Sequence, residues 1–299
     1  MIAYHQPTTL DEAIRTYAAD PSLIVLAGGT DVYPAKATRA GWGHVSHPGI
    51  LDISRIASLR GITKTQRGWD IGALTTWSDL VHADLPPLFD GLKAAAREVG
   101  SVQVQNCGTI GGNVCNASPA ADGIAALLAL RAVITTRYPF QPPGSPGEQP
   151  KLMLAPLRSL VIVPFIKGNR RTMLVPGEIV TAISVTGKGR GYFRKLGARH
   201  SMVISIAMVA AVFDWDERGN ICTARVVVGA CSPVAQRLSS LEDTLRGKPL
   251  DSGLVKPEHF SSLQPLDDVR ATAAYRKAAA LQLVRDIIDE AANDARRAA

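Results

Sequence analysis

Hydrophobic positions first recur at helical spacing near the start of the chain, where Leu10, Ala13, Ile14, Tyr17 and Ala18 follow the capping-box pattern Thr9-x-x-Glu12. This predicts a helix over 9–19 that stops before Pro21. The short apolar, β-branched run over 23–27 ends at Gly28-Gly29 and reads as a buried strand entering a tight turn. Strand-like pieces follow at 50–53, 62–65 and 69–71, then a segment over 76–81 and a clearer helix with Leu88, Leu92, Ala95, Ala96 and Val99 on one face. Ser118 and Pro119 fit an N-cap and first helical position ahead of the apolar run 124–130, which puts Asp122 in or near the first turn. In the second half, 164–185 reads as strands around a turn at Pro176-Gly177, and 202–213 and 221–230 as antiparallel strands flanking the turn-forming 214–220. A helix over 236–245 ends at Gly247, and a last helix over 272–297 turns Leu281, Val284, Ile288 and Ala291 inward. The Pro- and Gly-rich stretch 141–150 reads as a surface loop. Gly187, Gly189 and Gly191 set a boundary that divides an α+β chain into 1–186 and 187–299.

Composition narrows the class. At 46% hydrophobic and 20% charged residues the chain is globular. Its most apolar stretch, 202–213, is shorter than the roughly 18 residues of a membrane span, and the N-terminus lacks the basic flank and apolar core of a signal peptide, so the cytoplasm is expected. The four cysteines form no Cys-x-x-Cys, which excludes a self-contained iron–sulfur site of plant-ferredoxin spacing, and the six histidines show no ligand spacing, so no metal site is expected. The net charge of +7 is local: residues 151–199 hold ten basic side chains against Glu178 alone. Excess base raises nucleic acid as a partner, but this segment lacks the interleaved aromatics of a single-strand platform.

Two glycine pairs carry the candidate chemistry, Gly28-Gly29 in Ala-Gly-Gly-Thr-Asp at 27–31 and Gly111-Gly112 in Thr-Ile-Gly-Gly-Asn-Val-Cys-Asn-Ala-Ser-Pro-Ala-Ala-Asp at 109–122. Glycine lets backbone N–H groups approach and point at phosphate oxygens; either pair alone also fits an ordinary turn. The Walker loop is absent, and Gly187-x-Gly189-x-Gly191 has neither the spacing nor the following helix of a dinucleotide fingerprint.

Together the two motifs resemble those of the FAD-binding subunit of the molybdenum hydroxylases, the family of xanthine dehydrogenase and aerobic carbon monoxide dehydrogenase. The similarity continues through 174–180, 192–199, 225–229 and 245–276, and departs at 139–157, where the Pro-rich stretch looks like an insertion. The family varies at Cys115, so no redox role attaches to that thiol. The resemblance implies an α+β fold: a two-part FAD-binding domain of the vanillyl-alcohol-oxidase (PCMH) type, then a small antiparallel sheet with helices. It implies non-covalent FAD, its pyrophosphate held between the two glycine loops. Val25, Leu26, Ala27, Gly28, Gly29, Thr30 and Asp31 would line it on one side, and Thr109, Ile110, Gly111, Gly112, Asn113, Asn116 and Asp122 on the other. Asp122 would accept from a sugar or ribityl hydroxyl, Val180 would pack near the ring, and Lys195 and Arg199 would lie near the flavin or its approach. The residues alone also allow Asp122 as a helix-terminal charge, Asn113 and Asn116 as turn residues, and Lys195 and Arg199 as a solvated face.

The implied function is electron transfer. Electrons would arrive from a molybdenum cofactor on a large molybdopterin-binding subunit through [2Fe-2S] clusters on a small subunit, and leave to an external acceptor; a dimer of heterotrimers is the expected assembly, with no nucleic acid and no membrane span. Four unclustered cysteines cannot hold two such clusters here. The alternatives are a self-sufficient FAD-dependent reductase of the same flavin fold and a basic nucleic-acid-binding protein. The basic segment is expected to serve an anionic cofactor, its reduced ring, an acceptor or a partner.

Overall fold

The computed structural model describes residues 3–34, 49–140, 153–154 and 157–298. Thr9 caps the first helix, Leu10–Ala19, by accepting from the Glu12 N–H at 3.3 Å, and Glu12 answers on the Thr8 N–H at 3.2 Å. The buried Ala13 and Ile14 pack with Leu23, Leu51 and Ile53, residues in or beside a three-stranded parallel sheet ordered Tyr4–His5, Ile50–Asp52, Ile24–Leu26.

A second sheet is antiparallel throughout, ordered Ile62–Thr65, Gly68–Gly72, Ile179–Val185, Val133–Arg137, Arg158–Val161. A third is ordered Arg190–Leu196, Ala207–Trp215, Ile221–Gly229, Gln236–Arg237. Between these two sheets lies the helix Asp122–Ala129, every residue of which is buried. Its neighbours are Ile71, Ile134 and Ile183 from the five-stranded sheet and Met208, Ala210 and Val212 from the four-stranded one. That position explains why its sequence is apolar all round rather than striped. The opposite face of the four-stranded sheet, carrying Val209, Ala211 and Phe213, packs on the long helix Ala273–Ala298 through Val284, Ile288 and Ala291. Both faces are covered, so Ala207 to Phe213 of this strand read as one continuous hydrophobic run.

Three local expectations fail for identifiable reasons. Ser118 does not cap the helix: Ala117 is left-handed (φ 47°), Ser118 Oγ accepts from the Ala120 N–H, and the helix begins at Asp122 with Ala121 as an N-cap without a side-chain bond. Gln236 and Arg237 pair with Val228 and Val227 as an edge strand, so that helix starts only at Ser239. The second glycine pair is not in a loop but inside the helix Ile110–Asn116, preceded by the short helix Val102–Cys107. The proline-rich 141–150 lies outside the described residues. Among the described residues no helix is long and apolar enough to cross a membrane.

Candidate functional site

A cleft of about 580 Å³ opens where the strand Ile24–Leu26 runs into the first glycine loop opposite the helix Ile110–Asn116. Val25, Ala27, Gly28, Gly29, Thr30 and Asp31 line one side; Thr109, Gly111, Gly112, Asn113 and Asn116 line the other, joined by Val180 from the strand Ile179–Val185. Leu26 and Ile110 are buried and do not line it. Asp122, Lys195 and Arg199 do not line it either. The sequence did not mark the apolar walls: Tyr17, Ala73, Trp77, Val99, Leu174 and Ile179 come from separate elements and carry no shared motif.

The two glycine segments touch. A Cβ on Gly28 would sit 1.9 Å from the Cys107 carbonyl oxygen, and Gly29 holds φ +71° with the Tyr33 ring against it. Only glycine satisfies both conditions. Among the described residues, none accepts from the N–H groups of Gly28, Gly29, Thr30 or Asp31. The second motif differs. Ile110 donates to Thr75 O (3.0 Å), Gly111 to Ala73 O (2.9 Å), Gly112 to Thr109 Oγ1 (3.1 Å) and Asn113 to Thr109 O (3.0 Å). The free backbone donors therefore belong to the first loop, while the second motif offers side chains. Asn116 Nδ2 donates to Asp31 Oδ1 at 2.9 Å across the cleft, and the buried Asn113 Oδ1 has no partner among the described residues.

Of the acidic groups in the lining, Glu178 is committed to an ion pair. Glu178 accepts from Arg158 (3.1 Å), from the Val175 N–H (2.9 Å) and from Thr136. Cys115 is a free cysteine at the edge of the lining. Outside the cleft, Asp122 Oδ2 pairs with Lys195 Nζ at 2.8 Å and its Oδ1 accepts from Ser205 Oγ at 2.6 Å. Burial pushes the Asp122 carboxyl above the usual carboxylate range, against the pull of Lys195 and Ser205. Arg199 donates to the carbonyls of Ser201 and Met202.

These features fit FAD. Unpartnered N–H groups suit a pyrophosphate, the orphaned Asn113 Oδ1 needs a donor such as a ribityl or ribose hydroxyl, and apolar walls suit a flat ring. The volume falls within the roughly 300–1,000 Å³ of small-molecule sites.

Comparison with known proteins agrees. Residues 1–141 match the FAD binding domain in molybdopterin dehydrogenase, and residues 192–291 match the CO dehydrogenase flavoprotein C-terminal domain. The glyceraldehyde dehydrogenase medium chain of Sulfolobus acidocaldarius is 30% identical, covering 92% of each chain. The xanthine dehydrogenase FAD-binding subunit of Escherichia coli O157:H7 is 28% identical over 97% of this chain and 95% of its own length. The solved carbon monoxide dehydrogenase of Hydrogenophaga pseudoflava lacking the Mo-pyranopterin moiety superimposes with a TM-score of 0.81 at 26% identity, covering 95% of each chain. With both motifs lining one cleft and both family domains matched in order, the chain belongs to the molybdenum hydroxylase family as an FAD-binding subunit of the xanthine and carbon monoxide dehydrogenase type.

Proposed function

We propose that this chain is the electron-transfer subunit of a cytoplasmic molybdenum hydroxylase. It accepts electrons from [2Fe-2S] clusters on a small partner subunit, fed by the molybdenum cofactor of a large one, and passes them to an external acceptor. In this reading residues 1–186 form the FAD-binding domain and 187–299 the C-terminal domain, and two heterotrimers assemble. Bound FAD supplies the interconversion between two-electron and one-electron transfer.

This chain's residues hold and shield that cofactor. The N–H groups of Gly28 to Asp31 would receive the pyrophosphate, Asn113 Oδ1 would accept from a hydroxyl, and Trp77, Val99 and Val180 would help exclude water. Lys195, paired with Asp122, and Arg199 lie outside this cleft, so a part for them would be played from beyond its lining. The carrying observation is that the unpartnered N–H groups of Gly28 to Asp31 and the unpartnered Asn113 Oδ1 line one cleft with apolar walls.

The test is anaerobic reduction of the co-purified complex by its hydroxylase substrate. Flavin bleaching that requires the small subunit is expected. Turnover of NADH or NADPH by the isolated FAD-loaded chain, undiminished without partners, would instead establish a self-sufficient reductase.

A further inference from the structure

Arg170 occupies the turn between the strands Ile166–Gly168 and Arg171–Thr172, outside both glycine motifs. Its backbone is left-handed, with φ 53°, and its N–H donates to the Ala117 carbonyl at 2.9 Å. Ala117 is the C-terminal cap of the helix Ile110–Asn116. The guanidinium reaches the same helix end a second time, Nη1 donating to Asn116 Oδ1 at 2.7 Å. Asn116 Nδ2 in turn donates to Asp31 Oδ1 at 2.9 Å. The amide is thus polarised in one direction, oxygen toward the cation and nitrogen toward the carboxylate, and both of its ends are satisfied.

Asp31 creates a problem that this chain of bonds answers. Its carboxylate directly follows the loop whose free N–H groups suit an anion, so an unmodified negative charge stands beside the place where a pyrophosphate would lie. Among the described residues no cation pairs with Asp31 directly. Arg170 is the cation connected to it, through one amide. It also holds Asn116, whose amide ties the helix end to the first loop across the cleft.

We infer that Arg170 is a positioning residue for the dinucleotide: acting through Asn116, it offsets the Asp31 charge and holds the two motif segments at the spacing the pyrophosphate needs. This rests on the FAD reading of the cleft and adds a residue from a third segment of the chain, the 166–172 hairpin.

The test is a double-mutant cycle on the full chain, stripped of flavin and titrated with FAD. Arg170→Ala is expected to raise the FAD Kd about tenfold, the size of one lost charge-assisted contact. If the cation acts on Asp31, that loss shrinks to about twofold or less in an Asp31→Asn background. Arg170→Lys keeps the charge and falls between alanine and wild type. A wild-type Kd for Arg170→Ala, or the same loss in both backgrounds, overturns the inference. Failure of the wild-type chain itself to bind FAD would overturn the cofactor reading instead, so the two failures are distinguishable. Melting of the flavin-free Arg170→Ala chain at the wild-type temperature separates positioning from folding.

Discussion

Gly28 and Gly29 are glycines for different reasons, and the difference is testable. Gly29 needs a left-handed backbone, whereas Gly28 needs room, since an added Cβ would overlap the Cys107 carbonyl oxygen at 1.9 Å. Gly28→Ala is therefore expected to force the two motif segments apart, cost about 2 kcal/mol of stability and abolish flavin retention. Flavin content per purified chain and the denaturation midpoint check it. Arg225 poses the opposite case, a buried group lacking something. Its Nε and Nη2 have no partner among the described residues, and burial pushes its guanidinium below the ordinary value, with Arg131 and Arg237 acting in the same direction. Arg131 is exposed and left-handed (φ 53°), a conformation aspartate tolerates better than arginine. Arg131→Asp should raise the melting temperature by about 2 °C. A fall in that temperature would show that the two arginines are not coupled.

Elements whose pattern is local were legible in the sequence. Thr9 to Ala19, the antiparallel pair Ala207–Trp215 and Ile221–Gly229, and the final helix each declare their period within one segment. The helix Ile110–Asn116 was not legible, because two adjacent glycines each cost a helix about 1 kcal/mol. Tertiary contact overrides that cost: Gly111 lies against Ala73, where a Cβ would come within 2.7 Å. The site divides in the same way. Both motifs could be read directly, but the apolar walls and Arg170 are brought in from distant segments. The loop 264–272 yields a pH prediction. Asp268 accepts from the Arg270 N–H, Arg276 and the Ala271 N–H, which holds its carboxyl down at about 2. A carboxyl lowered in the folded state stabilises it above the unfolded value near 4, and that contribution is lost as pH falls toward 2. Asp268→Asn should thus destabilise the chain at pH 7, with the difference from wild type narrowing as pH falls from about 4 toward 2. Urea midpoints at each pH measure it, and a gap that stays constant refutes it.

At the scale of the whole molecule, part of the basic segment 151–199 is internal fastening. Arg158 pairs with Glu178, Lys188 with Asp214, Arg190 with Asp90 and Asp294, Arg194 with Glu290, and Lys195 with Asp122. Five of the bases described there therefore answer acids of this same chain, while Lys167, Arg170 and Arg171 on the 166–172 hairpin are exposed. The pair with the largest consequence is Lys195 with Asp122, whose side chains are 7% and 8% exposed. Asp122 opens the helix packed between the two larger sheets, and Lys195 comes from the first strand of the four-stranded one, so the pair spans their junction. Removing one partner of a buried pair leaves the other charge unanswered, so Lys195→Met should cost about 3 kcal/mol. Changing Asp122 to Asn in the same chain removes the stranded charge and should restore most of that loss. Urea unfolding of the two variants decides the matter. If Lys195→Met instead leaves stability intact while lowering the flavin potential, the lysine's charge is directed at the cofactor and not at the junction.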